Sequence, residues 1–205
     1  MTPISTRTGS VSVADSPAFE SPVVRSYETS EDGDLLLTDV SATIKWLVRA
    51  SPDGAVADQL GASFGSSSAA ASGATVLGSR PGEWIVLGTA AEAAGAVEGL
   101  EGLDSSDLVS CLDWTHGRAL FRVTGNEAAR MLEKVCSLDW SDPMTPDGAV
   151  ASASVAKVTC DVARNDVDGT PSYLVFCDRS FGQYLFDALI DAGDEFGLVV
   201  GPAGG

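Results

Sequence analysis

The stretch Cys111–Trp140, which reads CLDWTHGRALFRVTGNEAARMLEKVCSLDW, decides the fold. Within it, Leu112–Val123 has the alternation of extended chain, and Thr124-Gly125 follows as a stop. Asn126 then stands where a helix N-cap is expected, because its side chain can accept hydrogen bonds from the first turn. The apolar residues that follow recur at the spacing of one helix face: Ala128, Met131, Leu132 and Val135. The stretch therefore predicts a strand, a tight turn and an amphipathic helix.

The same unit occurs a second time, 74 residues earlier in the chain. Asp39 and Ser41 stand 74 positions before Asp113 and Thr115, so a D-x-S/T pattern is repeated. An apolar run, a turn and a short helix follow each copy. A later strand and helix also follow each copy, at 80–100 and at 171–192. We therefore predict a duplicated α+β unit, in which each half runs strand, helix, strand or hairpin, helix.

Composition divides the chain into a polar start and one larger globular part. Residues 1–30 are rich in Ser, Thr and Pro and have few large apolar groups. They cannot bury enough surface to offset the entropy of ordering, so we expect a flexible N-terminal extension. Residues 31–205 are expected to form a single domain, made of two halves at about 31–105 and 106–205.

The net charge of −17, from 29 acidic and 12 basic residues, bears on possible partners. Nucleic acids and anionic lipids are bound through clustered Lys and Arg, so we expect neither a nucleic acid nor a membrane as a partner. Two interpretations of the acidity stay open: general solubility, or a docking surface for a basic protein. Because no apolar run approaches the roughly 20 residues that cross a bilayer, and residues 1–16 lack the apolar core of a secretory signal, we expect a cytoplasmic protein.

No combination of residue types points to a catalytic centre or a metal site. His116 is the only histidine, and in extended chain it points away from both Asp113 and Cys111. Asp39 and Asp113 could pair for acid–base chemistry, but an Asp before Ser or Thr more often closes a turn. The cysteines have no C-x-x-C spacing and are expected to be reduced core thiols. We predict no catalytic, cofactor-binding or metal-binding residue on this chain.

The segment Asp113–Leu132 resembles the D-x-S-H-G-R-x-x-x-R-x-x-G-x-x-A-x-x-L-L stretch of the gamma subunits of heterotetrameric sarcosine oxidases, with Thr115 in place of the serine. More distantly, it is similar to the aminomethyltransferase, or T-protein, of glycine cleavage. Three other segments resemble the same family in the same order: Thr38–Ser41, Arg80–Leu87 and Asp178–Leu189. The resemblance covers about residues 35–198. It implies a T-protein-like folate-binding fold with paired ferredoxin-like halves, each running strand, helix, strand, strand, helix.

The resemblance also implies a role. The chain would be a non-catalytic gamma subunit that supports assembly of a complex that oxidatively demethylates sarcosine, with tetrahydrofolate as the one-carbon acceptor. Its expected partners are the alpha, beta and delta subunits, which would carry FAD, FMN, NAD, tetrahydrofolate and zinc, with no cofactor on this chain. We place a subunit contact in one short segment: Trp114, His116, Gly117 and Arg118.

Two alternatives stay open. The first is a stand-alone folate-binding protein of one-carbon transfer, for which Asp113 and Trp114 are the local candidates to line a pterin pocket. The second is a small acidic scaffold that is unrelated to either group. Titration with tetrahydrofolate separates the folate-binding hypothesis from the subunit hypothesis.

Overall fold

The computed structural model describes residues 18–103 and 107–204. In these residues the elements occur in the order β-β-α-β-β-β-α, and the same order then repeats. The first series is β1 (Leu35–Asp39), β2 (Ile44–Arg49), α1 (Ala55–Leu60), β3 (Ser67–Ala69), β4 (Thr75–Arg80), β5 (Glu83–Gly88) and α2 (Ala90–Val97). The second is β6 (Ser110–Asp113), β7 (Arg118–Gly125), α3 (Ala128–Glu133), β8 (Val150–Val155), β9 (Val158–Arg164), β10 (Ser172–Asp178) and α4 (Gly182–Gly193), followed by β11 (Val199–Val200). The predicted duplication of an α+β unit is confirmed.

Each of two sheets holds four strands from one half and the first strand of the other half. The six-stranded sheet has the order β11-β1-β7-β10-β9-β8, and the five-stranded sheet has the order β3-β4-β5-β2-β6. β1 pairs antiparallel with β7, and β6 pairs antiparallel with β2. The two halves therefore exchange their first strands, and the chain crosses between the sheets after β1 and again after β6. The domain boundaries placed at 30/31 and 105/106 stay predictions.

Three apolar clusters build the interior. α3 and α4 pack on the six-stranded sheet around large side chains that include Phe121, Tyr173 and Phe186. α1 and α2 pack on the five-stranded sheet around Trp84 and Leu100. The third cluster draws on both sheets: Leu77, Ile85 and Leu87 on one side, and Leu120, Ala163, Leu174 and Phe176 on the other. Because burial of each such side chain contributes roughly 1.5–3 kcal/mol, this third cluster ties the two sheets together.

The predicted extended stretch Leu112–Val123 is interrupted in the structure. The N–H groups of Gly117 and Arg118 both donate to the carbonyl of Trp114, at 3.0 and 3.2 Å, and close a turn there. β6 ends before this turn and β7 begins after it, in the other sheet. The prediction of one continuous strand is therefore wrong, because alternation alone does not show where a chain leaves a sheet.

Two other local predictions are also wrong. α3 begins at Ala128 and its cap position is taken by Glu127, without a side-chain cap bond, so Asn126 is not the N-cap. The alternation of residues 151–162 predicts one strand, but the structure has the hairpin β8–β9 there. Its turn residues Ala156 and Lys157 have φ values of +47° and +69°. Such primed turns usually carry Asn or Gly, which this turn lacks, so its sequence did not signal a hairpin.

Residues 19–27, which we call the strap, lie along one face of α4. The amide oxygen of Gln183 accepts from the N–H groups of Val24 and Arg25, at 2.8 and 2.9 Å. One turn to either side, the guanidinium of Arg179 donates to the carbonyl of Glu20, and Asp187 accepts from the hydroxyl of Tyr27. The three helix-side residues are spaced four apart, so one stripe of this helical segment binds the strap. Residues 1–17 lie outside the described residues, and the flexibility expected for 1–30 stays a prediction.

Candidate functional site

Both crossings between the sheets carry the D-x-S/T pattern. At the first, Oδ1 of Asp39 accepts from the N–H of Ser41 at 2.9 Å. At the second, Oδ1 of Asp113 accepts from the N–H of Thr115 at 2.8 Å. Each carboxylate thus closes a tight turn at the end of its strand. These bonds confirm the interpretation of both aspartates as turn residues.

The hydroxyl of each pattern reaches the other half of the molecule. The N–H of Leu120 donates to Oγ of Ser41 at 2.9 Å, and the N–H of Lys45 donates to Oγ1 of Thr115 at 3.0 Å. Both hydroxyl-bearing residues are buried. A buried N–H without a hydrogen-bond acceptor destabilises the fold. Each hydroxyl oxygen therefore supplies the acceptor for one N–H in a strand of the opposite half, at the point where the chain leaves its own sheet.

Lys45 is a fully buried lysine at the first crossing. Its Nζ donates to the carbonyls of Ser41 and Thr43, at 2.7 and 2.8 Å. Burial lowers the pKa of this amine to about 8, against the opposing influence of Asp39 and Asp113. No sequence motif singles out this residue. The available signal was its inward position on β2, next to the fully buried side chains of a sheet interior.

The four residues predicted as a subunit contact lie in one turn but differ in exposure. His116 and Gly117 are exposed, and the His116 ring lies 5.6 Å from the ring of Phe19 in the strap. Trp114 is half-buried against the cluster that draws on both sheets, with the Arg118 guanidinium 5.0 Å from its ring. His116 and Gly117 are therefore free to meet another chain, whereas Trp114 and Arg118 mainly contribute to the fold.

Arg118 belongs to an ion cluster that joins the two sheets. It binds Asp161 at 3.0 Å and Asp178 at 2.7 Å. Asp161 is 2% exposed and also binds Arg80 of the five-stranded sheet at 3.3 Å. A buried carboxylate between two guanidinium groups is compensated in charge and fixed in place. Arg80, the first residue of the segment Arg80–Leu87, thus has an ion-pair partner on the opposite sheet.

An open cleft of about 190 Å³ lies between the sheets. Its walls are polar and apolar in nearly equal parts and carry Arg122 as the charged group; the lining residues are Val40, Thr43, Thr75, Leu87, Gly88, Leu120, Arg122, Asn165 and Leu174. Arg122 donates to Oγ of Ser172 at 2.8 Å and to Oδ1 of Asn165 at 3.1 Å. These partners are neutral oxygens, and burial lowers the pKa of the guanidinium. The two residues predicted to line a pterin pocket, Asp113 and Trp114, do not line this cleft.

The remaining reactive side chains give no further centre in the described part of the chain. Within residues 18–103 and 107–204, no three His, Cys, Asp or Glu side chains form a group that could hold a metal ion. The four cysteines are free thiols. Burial raises the pKa of Cys160 and of Cys177 to about 12, so their nucleophilic thiolate forms are scarce at neutral pH. Among the same residues, every helix is too short or too polar to span a bilayer.

Comparisons with known proteins agree with this fold. A family profile described as the GCVT N-terminal domain matches residues 67–204. A chain of the heterotetrameric sarcosine oxidase from Corynebacterium sp. U-96, solved in complex with pyrrole 2-carboxylate, superposes with a TM-score of 0.68 at 22% identity, over 80% of this chain and 87% of that chain. The glycine cleavage system aminomethyltransferase T from Bartonella henselae superposes with a TM-score of 0.59 at 14% identity, over 83% of this chain and 48% of that chain. No curated protein sequence matches the chain. The predicted T-protein-like α+β fold is confirmed.

Proposed function

The chain belongs to the family of the GCVT N-terminal domain, and on this premise we propose that it is the non-catalytic gamma subunit of a heterotetrameric sarcosine oxidase. One observation carries the proposal. The superposition on a chain of such an oxidase has a TM-score of 0.68 and covers 80% of this chain and 87% of that chain. The superposition on the aminomethyltransferase has a lower TM-score, 0.59, and covers 48% of that chain. A chain of a heterotetrameric sarcosine oxidase is thus the better structural counterpart.

The side chains at the two crossings between the sheets favour a structural role for this chain over a catalytic one. The carboxylates of Asp39 and Asp113 are engaged in turns. The histidine, His116, contacts an aromatic ring. In this proposal the alpha, beta and delta subunits carry FAD, FMN, NAD, tetrahydrofolate and zinc, and the cytoplasmic assembly demethylates sarcosine oxidatively. This chain contributes a rigid two-sheet module to the assembly.

Co-expression tests the subunit assignment. The chain is produced together with the proteins encoded next to it, and the purified material is examined by native mass spectrometry. We expect one complex that holds this chain, two larger flavin-bearing chains and a small zinc-binding chain, with sarcosine-dependent release of peroxide. Omission of this chain should reduce the yield of the complex. A lone species of 21 kDa that never associates with its neighbours would contradict the assignment.

The predicted contact at His116 and Gly117 is tested in the same assembly. A Cβ atom at Gly117 would meet its nearest neighbours at 3.6 and 3.7 Å, which is ordinary contact, so Gly117→Gln should fold normally and project a side chain outward. Met144→Gln is the control, because it places the same side chain at another exposed position, one that is 67% exposed. We expect the first variant to weaken assembly and the second to leave it unchanged. Equal assembly of both variants would remove this contact from the proposal.

A second candidate, a stand-alone folate-binding protein, is favoured by Arg122. Its guanidinium has neutral partners, and the glutamate tail of folate carries carboxylates that it could bind. The cleft of about 190 Å³ is by itself smaller than the roughly 300–1,000 Å³ of typical ligand pockets, but it adjoins an open cavity of about 450 Å³ at Thr43 and Gly88. Titration of the isolated chain with tetrahydrofolate decides between the candidates. Micromolar binding that is lost in Arg122→Met, but kept in the exposed control Lys157→Met, would establish this function instead.

A further inference from the structure

The two exchanged strands, β1 and β6, are equivalent in the duplication but differ at their outer edges. β11 pairs parallel with β1 through Leu36–Val199 and Leu37–Val200. The chain then continues along the same edge, where the N–H of Gly201 donates to the carbonyl of Leu37 at 2.8 Å. The outer edge of β1 is therefore covered by residues from the end of the described chain.

β6 is the last strand of its sheet in the described part of the chain. Trp114 N–H donates to the carbonyl of Lys45 at 2.8 Å, which fixes the register of the β6–β2 ladder. In an antiparallel ladder alternate residues face the neighbouring strand, so Cys111 and Asp113 direct their N–H and C=O groups outward. In the duplication they correspond to Leu37 and Asp39, which stand 74 residues earlier in the chain. Among the described residues, no backbone group meets this outer edge of β6.

Exposure follows the same difference. Leu37 is fully buried and Asp39 is nearly so, whereas Cys111 is half-buried and Asp113 is exposed. Leu112, on the same strand, is 52% exposed, and Leu108, just before it, is 89% exposed. Native edge strands are commonly protected by Lys or Pro, and neither occurs in residues 107–113. An apolar edge with free backbone groups is suited to the addition of another strand.

The charge around this edge indicates what kind of strand fits. Residues 49–113 contain nine acidic residues and two basic residues, Arg49 and Arg80, which are bound to Glu83 and Asp161. Burial raises the pKa of the Cys111 thiol, and Glu101 lies close enough to raise it further. A second copy of this chain, itself at −17, would be repelled here. A segment that carries Lys or Arg beside apolar residues would be attracted.

We propose that the outer edge of β6 is the docking site for an extended, Lys- or Arg-bearing segment of a partner subunit, which adds a strand to the five-stranded sheet as β11 does to the six-stranded sheet. This inference rests on the proposed function, because the partner is a chain of the same assembly. The added strand runs parallel to β6, binds the outward backbone groups of Cys111 and Asp113, and covers Leu112. In this proposal the acidic residues of the first half attract the basic partner segment, in addition to keeping the protein soluble.

Amide hydrogen exchange of the co-expressed complex, compared with the isolated chain, tests the proposal. We expect the outward N–H groups of Cys111 and Asp113 to exchange at least about tenfold more slowly in the complex, since a new backbone hydrogen bond protects them. The N–H of Leu112, which faces β2, should be protected in both samples and serves as the internal reference.

A substitution gives the second readout. Leu112→Lys removes apolar contact and brings a like charge to the incoming segment, so we expect at least about tenfold weaker association. Met144→Lys adds the same charge at another exposed apolar residue and should have no effect. Fast exchange at Cys111 and Asp113 in an intact complex, or equal association of the two variants, would overturn the docking site and leave the subunit assignment standing.

Two other outcomes are distinct. If no complex forms with any neighbouring gene product, the subunit assignment itself fails and the docking site fails with it. If the isolated chain dimerises with rising concentration and the N–H groups of Cys111 and Asp113 become protected, the occupant is a second copy and the proposal of a basic partner segment is wrong.

Discussion

Ser41 and Thr115 each accept a hydrogen bond from a main-chain N–H of the opposite half. The N–H of Leu120 donates to Oγ of Ser41 at 2.9 Å, and the N–H of Lys45 donates to Oγ1 of Thr115 at 3.0 Å. The two contacts are reciprocal across the duplication, and both lie where the chain passes from one sheet to the other. The D-x-S/T pattern is thus explained by architecture. Its aspartate closes the turn, and its hydroxyl oxygen accepts a hydrogen bond from a backbone N–H of the opposite half.

Removal of either hydroxyl should destabilise the protein. In Ser41→Ala the buried N–H of Leu120 loses its acceptor, and we expect a loss of about 1–3 kcal/mol in the free energy of unfolding. Thr115→Val should act in the same way, since it removes a hydroxyl and keeps the volume. Thr115→Ser retains the hydroxyl and is the matched control, with a small loss. Urea unfolding measures all three, and equal stabilities of the Val and Ser variants would contradict the role of the hydroxyl.

Lys45 should make stability rise with pH in an unusual window. Its folded pKa is about 8, below the ordinary value of 10.5, so between these values the unfolded chain binds a proton that the folded protein has released. The free energy of unfolding therefore increases as pH rises from 8 to 10.5, by up to about 3 kcal/mol from this residue. Below pH 8 both states are protonated, and the cost of the buried charge is constant.

Comparison with Lys45→Met isolates this contribution. Cys160 and Cys177, whose folded pKa is about 12, act in the opposite direction above pH 9, but they do so equally in both proteins. We expect the stability difference to shift in favour of the wild type between pH 8 and 10.5. A difference that stays constant across this range would show that Lys45 is not a buried cation at neutral pH.

The ion cluster between the sheets should depend on its buried member. Asp161→Asn removes the charge that compensates Arg118 and Arg80, and we expect a loss of about 3 kcal/mol or more. Asp178→Asn removes the other partner of Arg118, whose side chain is 66% exposed, and should cost less than about 1 kcal/mol. Thermal unfolding of the two variants measures the contrast. Similar melting temperatures would mean that solvent screens both pairs alike.

The strap should detach from α4 when Gln183 is lost. Gln183→Ala removes the acceptor of the Val24 and Arg25 N–H groups and the donor to the Tyr27 hydroxyl. We expect faster amide exchange at residues 24 and 25 and earlier proteolysis within 19–27, with little change in the sheets. Gln59→Ala, at an exposed position of α1, is the control. Unchanged exchange at these two amides would show that the apolar contacts of the strap are sufficient.

The sequence predicted the fold where local patterns determine structure. The repeat of D-x-S/T and the helical spacing that begins at Ala128 are local, and they sufficed for the duplication and the fold class. The exchange of β1 and β6 was not predictable, because alternation shows that a segment is a strand but not which strand it joins. Lys45 was missed because its alternate position on β2 was not recognised as inward-facing, although the carbonyls that bind its amine, those of Ser41 and Thr43, are close in sequence.

The candidate contacts divide in a similar way. Trp114, His116, Gly117 and Arg118 lie together in one turn, as adjacent residues must. Their exposures, however, follow from long-range neighbours such as Asp161 and the strap, which no local pattern contains. Whether His116 and Gly117 meet another subunit stays a prediction. The open edge of β6 became visible only when it was compared with the covered edge of β1.

The exchange of first strands also governs the order in which the molecule can be made. A ribosome delivers β1 early, yet its antiparallel neighbour β7 emerges some 80 residues later. The five-stranded sheet likewise lacks its edge until β6 has been synthesised. Pairings of such long sequence separation form slowly, and a nascent chain that stops between the halves exposes an incomplete sheet. We therefore expect the two halves to acquire their native structure together and late in synthesis, and neither half to fold alone as an independent module.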